Sequence, residues 1–213
     1  EASYYRKITS KTFLEGEKSQ YLDSIYNYLI KAENDSLNRS ALFDVVREYF
    51  KRDENEKYLR SSKKLFQLSK LQKDTLHMAQ SLCYIGDYYE NYTQLDSAFT
   101  YYSKSEKLYR CLEENNGIGK VMLYKSGILY DAGIYTESEV QTSNALKHLV
   151  KTDNSRLLYE AYNLMGLNLK ELGNYNKSFD YFTLAQKQLD VLEENKYSAE
   201  KVIKSRDTIT NNL

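Results

Sequence analysis

Apolar residues recur along this chain with the spacing of amphipathic helices, and the pattern itself repeats about every 40 residues. In the clearest copy, Leu82, Ile85, Gly86 and Tyr89 stand at i, i+3, i+4 and i+7, which places them on one face of a helix. A short polar turn follows, and after it comes a second helical segment. The chain is therefore predicted to consist of helical hairpins in four successive copies.

Small residues occupy two fixed positions of the repeat, one in each helix of the predicted hairpin. We number the repeat so that Gly86 is position 8 and step by 40 residues. Position 8 then holds Val46, Gly86, Ser126 and Gly166, position 20 holds Tyr58, Ala98, Ser138 and Ser178, and position 24 holds Ser62, Tyr102, Thr142 and Phe182. Two helices approach closely only where side chains are nearly absent, so positions 8 and 20 are predicted contact points. Aromatic residues at positions 11 and 24 are expected to fill the adjacent space. Lys125, at position 7, does not fit the apolar stripe.

Polar residues that cap helices precede three of the predicted first helices. The stretches are Asp35–Ser36, Asp74–Thr75 and Asp153–Ser155, and their side chains are expected to accept hydrogen bonds from free backbone N–H groups as N-cap residues do. The corresponding stretch before the third repeat, Glu114–Gly117, is polar and turn-forming. The adjoining segment, Gly117–Lys120, superficially resembles a phosphate-binding loop but lacks the preceding strand and the remaining spacing. We interpret it as an interhelical loop.

The repeat resembles the tetratricopeptide repeat (TPR), whose signature is a bulky residue, then L-G and Y in the first helix, with A and F/Y in the second. The matching residues are Leu82, Ile85, Gly86, Tyr89, Ala98 and Tyr102, and again Tyr162, Met165, Gly166, Leu169, Ser178 and Phe182. The resemblance implies an all-α fold, a right-handed superhelical solenoid of antiparallel helix pairs. The unit here is longer than the usual 34 residues and lacks the closing Pro, which longer second helices would explain.

The same reasoning predicts three regions along the chain. Residues 1–37 are expected to form capping helices, with Ser3–Glu15 and Tyr21–Ala32 as a pair broken at Gly16. Residues 38–197 hold the four repeats. Residues 198–213 are expected to form a capping helix, Ser198–Thr210, that continues into further sequence. Such caps are needed because only interior repeats bury both sides.

In TPR proteins the first helices line a concave groove, with ligand contacts near positions 5, 9, 12 and 13. Carried over residue by residue, these positions give the partner-binding candidates Phe43, Arg47, Phe50, Lys51, Asp87, Glu90, Tyr130, Asp131, Asn163 and Lys170. The candidates are basic and aromatic in the first repeat, acidic in the second and mixed later. Phe43, Phe50 and Tyr130 are expected anchors, since aromatic residues and Arg dominate binding hot spots. The groove lacks the Lys/Asn pattern with which family members hold a C-terminal carboxylate.

The overall charge gives no reason to expect attraction to nucleic acid or to anionic lipid. Lys and Arg number 30, Asp and Glu also number 30, and the formal net charge is zero. No apolar run approaches the roughly 18 residues of a membrane span. We therefore expect no nucleic-acid contact by this region and membrane attachment only through flanking sequence, and the TPR resemblance implies a protein or peptide partner. The oligomeric state stays open.

The sequence carries no recognisable catalytic or metal-binding motif. Cys83 and Cys111 fit no CxxC spacing, and two free thiols are favoured over a disulfide. The disulfide remains an alternative, because both cysteines fall at the same end of one predicted hairpin. His77 and His148 are the only histidines. We expect no enzymatic activity and no cofactor.

Tyr-rich, Pro-free repeats of this kind resemble the sensor regions of bacterial TPR-containing signalling proteins and transcription regulators. The resemblance implies a domain that senses a ligand or partner, preceded by a removed signal peptide and followed by a membrane helix, and therefore a periplasmic or other extracytoplasmic location. The start at Glu1 without Met and the polar end at Leu213 agree with this expectation. The alternative is a free-standing cytoplasmic scaffold that joins two partners. A glycan or small-molecule binder is a third interpretation, although Trp, the usual glycan-stacking residue, is absent.

Overall fold

The computed structural model describes residues 15–194, 205, 206, 208, 209 and 212, with side chains from residue 19 onward. In this part of the chain nine α-helices follow one another without strands. They are α1 (Glu15–Leu29), α2 (Ser36–Lys51), α3 (Asn55–Leu71), α4 (Thr75–Asn91), α5 (Leu95–Cys111), α6 (Asn115–Asp131), α7 (Tyr135–Leu149), α8 (Ser155–Glu171) and α9 (Tyr175–Glu194). The all-α repeat fold predicted from the sequence is confirmed.

The chain divides into two compact units, Glu1–His77 and Met78–Leu213, called here unit 1 and unit 2. In unit 1, α1 packs on α2 and α2 packs on α3. α1 buries an apolar stripe that consists of Leu22, Ile25, Tyr26 and Leu29. In unit 2, successive helices from α5 to α9 pack in turn. Both units therefore consist of neighbouring helices in chain order.

The predicted break at Gly16 is wrong, since Gly16 is the second residue of α1. The first turn of a helix has fewer intrahelical hydrogen bonds to lose, so a glycine there is less disruptive than one at the centre. Residues 3–14 of the expected partner helix lie outside the described residues, as does most of the capping helix expected at 198–210. The predicted limits of the three regions stay predictions.

In unit 2 the glycine at position 8 packs directly against the ring at position 24. A Cβ atom on Gly86 would lie 2.6 Å from Cε1 of Tyr102, and one on Gly166 would lie 2.5 Å from Cε1 of Phe182. Both rings are almost fully buried, so neither site has space for a larger side chain. In these two hairpins the helices therefore approach each other closely at a glycine, as the repeat pattern predicts.

The third repeat replaces the glycine–ring contact with buried hydroxyl groups. Ser126 Oγ donates to the carbonyl of Ser138 at 2.8 Å, and Ser138 Oγ donates to the carbonyl of Ser126 at 2.9 Å. Thr142, at position 24, donates to the same Ser138 carbonyl at 2.8 Å. All three side chains are fully buried, and these hydrogen bonds satisfy groups that would otherwise be costly to bury.

In the first repeat the sizes of the residues at two positions are exchanged. Tyr58 supplies the large ring at position 20, and Ser62 is the small residue at position 24. Both are fully buried, together with Val46 at position 8. The departure of this repeat from the usual pattern is therefore a compensated change in packing.

The segment Gly117–Lys120 is not an interhelical loop, because α6 begins at Asn115 and includes it. The Glu114 side chain caps this helix by accepting hydrogen bonds from the backbone N–H groups of Asn116 and Gly117, at 3.2 and 2.6 Å. A Cβ atom on Gly117 would collide with the Tyr109 ring, and one on Gly119 would lie 2.5 Å from Cγ of Leu149. The two glycines are close-packing residues, and the interpretation failed because glycine is an ambiguous loop signal.

Two residues after the end of each first helix, at position 15, all four repeats have a residue with left-handed backbone geometry. These residues are Asp53, Thr93, Gly133 and Gly173, with φ of 54°, 57°, 75° and 77°. Glycine adopts this geometry without strain, whereas a β-branched residue such as threonine does not. Position 15 is therefore strained in the second repeat and relaxed in the third and fourth.

The two cysteines are free thiols. Cys83 is buried on α4, and Cys111 is exposed at the last residue of α5. The favoured interpretation is confirmed, and the disulfide alternative is wrong for this structure.

Candidate functional site

The first helices of the later repeats lie side by side in unit 2. α6 packs against α8, and the Lys120 ammonium of α6 lies 5.5 Å from the centroid of the Tyr84 ring on α4. We call the side of α4, α6 and α8 that carries positions 5, 9, 12 and 13 the first-helix face of unit 2. Its residues are Cys83, Asp87, Glu90, Asn91, Leu123, Gly127, Tyr130, Asp131, Asn163, Leu167, Lys170 and Glu171.

The acidic part of this face is organised by one tyrosine. The Tyr102 hydroxyl, from α5, lies 2.7 Å from Oδ1 of Asp87 and 2.5 Å from Oε2 of Glu90. Burial raises the pKa of Asp87, and the nearby Lys120 ammonium opposes this shift only in part. Burial also raises the pKa of Glu90, and the charges of Asp87 and Asp131 add to the effect. The two predicted acidic candidates therefore form one coupled group.

A cation lies beside this acidic group, held by aromatic rings. Lys120 Nζ lies 5.3 Å from the centroid of Tyr124 on its own helix, in addition to its contact with Tyr84. Ammonium groups are attracted to the faces of such rings. Cys83 is close by, and its burial raises the pKa of the thiol to about 12. The thiol is therefore protonated at neutral pH and is a packing group, not a nucleophile.

Gly127, at position 9 of α6, differs from the other glycines of α4, α6 and α8. Apart from its chain neighbours and the backbone of its own helix, a Cβ atom on Gly127 would meet no described atom within 4 Å, whereas a Cβ on Gly86, Gly117, Gly119 or Gly166 would collide with a side chain. The Gly127 backbone is thus accessible on the first-helix face. It lies at the position that carries Asp87 in α4 and Leu167 in α8.

One hydrogen-bond acceptor on this face has no donor. Oδ1 of Asn163, at position 5 of α8, is buried and makes no hydrogen bond within the described part of the chain. Lys170, by contrast, is engaged, since its ammonium donates to the backbone carbonyl of Asn212 at 2.8 Å. Tyr130 is half-buried, and its ring contacts that of Tyr135 at 5.3 Å between centroids.

The four candidates of the first repeat lie on α2 in unit 1. The Arg47 guanidinium lies 5.9 Å from the centroid of the Phe43 ring, and this ring meets His77 edge-on at 5.9 Å. Phe50 packs edge-on against Tyr58 at 5.6 Å, which leaves 38% of it exposed. Of the expected anchors, Phe43 and Tyr130 are half-buried and Phe50 is the most accessible.

Lys51 and Asp131 are exposed. Lys51 pairs with Glu48 at 2.6 Å on the surface of α2. Within unit 1 the structure brings together Phe43 and Arg47, and within unit 2 it brings together Asp87 and Glu90. Whether any of the ten candidates contacts a partner stays a prediction.

The sequence pattern missed three residues that shape the face. Tyr84 and Tyr124 stand at position 6 and Lys120 at position 2. These positions adjoin positions 5 and 9 on a helix surface, so helical spacing alone was a signal that could have found them. The loop predicted at Gly117–Lys120 excludes Lys120 from the predicted helix surface.

Two further observations concern metals and membranes. Among the residues that the structure describes, no three His, Cys, Asp or Glu side chains are grouped so that they could hold a metal ion. No described helix is both long enough and apolar enough to cross a membrane.

Among the comparisons with known proteins, only those with solved structures find a match, and they identify the fold. The sequence matches no protein-family model and no curated protein at a significant level. Aspartyl phosphate phosphatase F from Bacillus subtilis superposes with a TM-score of 0.74 at 11% identity, over 91% of this chain and 54% of that one. BtubC from P. vanneervenii gives 0.68 at 11% identity, over 83% and 74%. A Rap protein complexed with competence and sporulation factor gives 0.61 at 17% identity, over 92% and 58%.

The fold is TPR-like. At these identities the similarity establishes the helical-repeat architecture and nothing finer. The chain spans a little over half the length of the phosphatase and of the Rap protein.

Proposed function

We propose that this chain is a non-catalytic module that binds a protein or peptide segment on the first-helix face of unit 2. The observation that carries the proposal is the open backbone at Gly127. A glycine inside a helix destabilises it by about 0.5–1 kcal/mol relative to alanine. The other four glycines of α4, α6 and α8 are accounted for by side chains that pack against them. Gly127 has no such neighbour, and close approach of a bound chain to the backbone explains it.

The chemistry around Gly127 fits a polypeptide ligand. The Asn163 side chain is half-buried, and a rotation that turns its donor-free Oδ1 toward the first-helix face would let it accept a backbone N–H of the ligand. This hydrogen bond would remove the cost of about 1–3 kcal/mol of an unpaired buried acceptor. Tyr130 and Leu167 are partly exposed apolar contacts on the same face. Helical-repeat proteins bind extended ligands across several adjacent repeats in this way. An extended segment is the ligand shape that reaches all these groups.

The structural neighbours support a binding role of this kind. One of them, the Rap protein, was solved as a complex with the competence and sporulation factor. For this chain we extend the proposal to the ligand- or partner-sensing part of a bacterial signal-transduction protein or transcription regulator, located outside the cytoplasm. The alternative is a cytoplasmic scaffold. A signal peptide and a membrane helix in the flanking coding sequence would favour the sensor, and their absence would favour the scaffold.

The binding proposal can be tested without knowledge of the natural ligand. Peptides selected from a random display library on the immobilised protein would be titrated into isotope-labelled protein, with backbone NMR shifts as the measurement. We expect the largest shifts at α4, α6 and α8, including Gly127 and Asn163. Shifts confined to the second helices α5, α7 and α9, or no selectable peptide, would contradict the proposal.

A further inference from the structure

The contacts of the Tyr102 hydroxyl with Asp87 and Glu90 need two hydrogens. With ordinary ionisation at neutral pH, only the tyrosine hydroxyl supplies one. A tyrosine hydroxyl has a single hydrogen and can donate to one acceptor. Tyr102 Oη is nevertheless within hydrogen-bond distance of both Asp87 Oδ1, at 2.7 Å, and Glu90 Oε2, at 2.5 Å. If both carboxyls were ionised, one oxygen would face the hydroxyl oxygen with no hydrogen between them. A carboxylic acid at one of the two positions removes this conflict.

The surrounding charges favour protonation of Glu90 over protonation of Asp87. The Lys120 ammonium of α6 favours the ionised form of Asp87. The Asp131 carboxylate, also from α6, disfavours the ionised form of Glu90. Tyr124 of α6 packs against the Tyr102 ring at 5.4 Å between centroids. A further titratable neighbour is Cys83 of α4, whose thiol is neutral at neutral pH because burial raises its pKa.

We propose that the folded protein holds one proton at neutral pH in a chain of two hydrogen bonds, from protonated Glu90 to the Tyr102 oxygen and from the Tyr102 hydroxyl to ionised Asp87. The pair is thereby a proton-binding site built into the first-helix face, and release of the proton changes the charge of that face by one unit. The inference does not depend on the proposed binding function, since it concerns proton uptake on folding.

The sign of the resulting pH dependence follows from the direction of the pKa shift. Burial raises the pKa of Glu90 in the folded protein, so the folded state binds more protons than the unfolded state above the ordinary carboxyl pKa of about 4.3. The stabilisation that this bound proton provides is fully present below the ordinary carboxyl pKa. It is lost as the pH rises through the raised pKa of Glu90. Unit 2 should therefore become less stable as the pH rises across this window.

The direct test is a carbon-detected NMR titration of the Asp and Glu side-chain carboxyls in the intact wild-type chain. We expect the Glu90 carboxyl to titrate well above the ordinary range, and we expect Asp131→Asn to lower its midpoint by removing a repelling charge. Titration of both Glu90 and Asp87 near the ordinary value of about 4 would overturn the proposal. This measurement on the wild type does not depend on any variant folding.

A second measurement compares urea midpoints between pH 4 and pH 9 for the wild type, Glu90→Gln and the matched surface control Glu194→Gln. The amide introduced by Glu90→Gln can donate to the Tyr102 oxygen at every pH, so the midpoint of this variant should change less with pH than that of the wild type. The difference between the two should grow as the pH rises, while Glu194→Gln runs parallel to the wild type. Parallel curves for all three proteins would overturn the proposal.

Discussion

The Lys125 ammonium of α6 lies 3.0 Å from Oε2 of Glu106 on α5, and only 11% and 13% of the two side chains are exposed. The same ammonium lies 4.7 Å from the centroid of the Phe99 ring. Arg110 also pairs with Glu106, at 2.7 Å. The residue that did not fit the apolar stripe of the third repeat thus connects two repeats through a nearly buried ion pair.

Replacement of Lys125 by methionine is expected to destabilise the protein by about 1–3 kcal/mol, because Glu106 loses a charged hydrogen-bond partner while it stays largely buried. The ion pair between Arg110 and Glu106 remains in this variant, so the loss of stability is smaller than for a buried charge left without any partner. Urea unfolding at pH 7 measures the change. The double variant Lys125→Met with Glu106→Leu should recover most of the loss, and a double variant as unstable as the single one would contradict this explanation.

The penalty of Lys125→Met should also depend on pH. Burial alone would raise the pKa of Glu106, but hydrogen bonds and charge from Lys125 and Arg110 outweigh it and lower that pKa. A lowered carboxyl pKa contributes stability above the ordinary value of about 4.3, and that stability is lost as the pH falls through the folded pKa. The difference between wild type and Lys125→Met should therefore shrink below about pH 4. A penalty that is constant from pH 7 to pH 3 would show that the ion pair is not its source.

The two kinds of helical glycine should respond in opposite directions to alanine. Gly166→Ala places a methyl group against the Phe182 ring and should destabilise the protein by about 1–3 kcal/mol. The methyl group added by Gly127→Ala enters open space. This variant should be more stable than the wild type by about 0.5–1 kcal/mol, because alanine has the better helix propensity. Equilibrium unfolding of both variants checks the pair. Equal effects would mean that position 8 is not the contact point of the hairpin.

The strained end of α4 offers a stabilising substitution. Thr93 has φ of 57°, where Gly133 and Gly173 stand in the next repeats. Thr93→Gly should raise the free energy of unfolding by roughly 0.5–1 kcal/mol, since relief of the left-handed strain exceeds the added freedom of the unfolded chain. The reverse change, Gly133→Thr, has space for its Cβ and should destabilise through backbone strain alone. A stability loss in Thr93→Gly would refute this explanation.

Much of the fold was predictable because the hairpin packing repeats in the sequence. The glycine at position 8 and the ring at position 24 are both visible as repeating residues, and Gly86 with Tyr102 and Gly166 with Phe182 meet as expected. The first repeat was harder to interpret because Tyr58 and Ser62 exchange the usual sizes of positions 20 and 24, and only the structure shows that both are fully buried.

The candidate site was less predictable, for two physical reasons. Glycine signals both loops and close packing, so Gly117 and Gly119 were misassigned to a loop and Lys120 was overlooked with them. Coupled ionisation is also invisible in a sequence, because it depends on distances between side chains of different helices. Asp87 and Glu90 were found as single candidates, but their shared contact with Tyr102 of the following helix was not.

The basic residues of α2 give a separate test of the first repeat as a binding surface. The double variant Arg47→Glu with Lys51→Glu removes two exposed cations whose surface ion pairs contribute little to stability. For an acidic ligand we expect weaker affinity, mainly through slower association. Isothermal titration at two salt concentrations measures the change. Unchanged affinity would exclude α2 from the binding surface for that ligand.

The central claim is that the first-helix face of unit 2 binds a polypeptide over the open backbone of Gly127. The most direct measurement is the affinity of a library-selected peptide for Gly127→Gln, beside Thr100→Gln, which adds the same side chain at an exposed position of the second helix α5. We predict normal folding of both variants, affinity reduced about tenfold or more in Gly127→Gln, which is about 1.4 kcal/mol, and unchanged affinity in Thr100→Gln. Full affinity in a folded Gly127→Gln variant would contradict the claim.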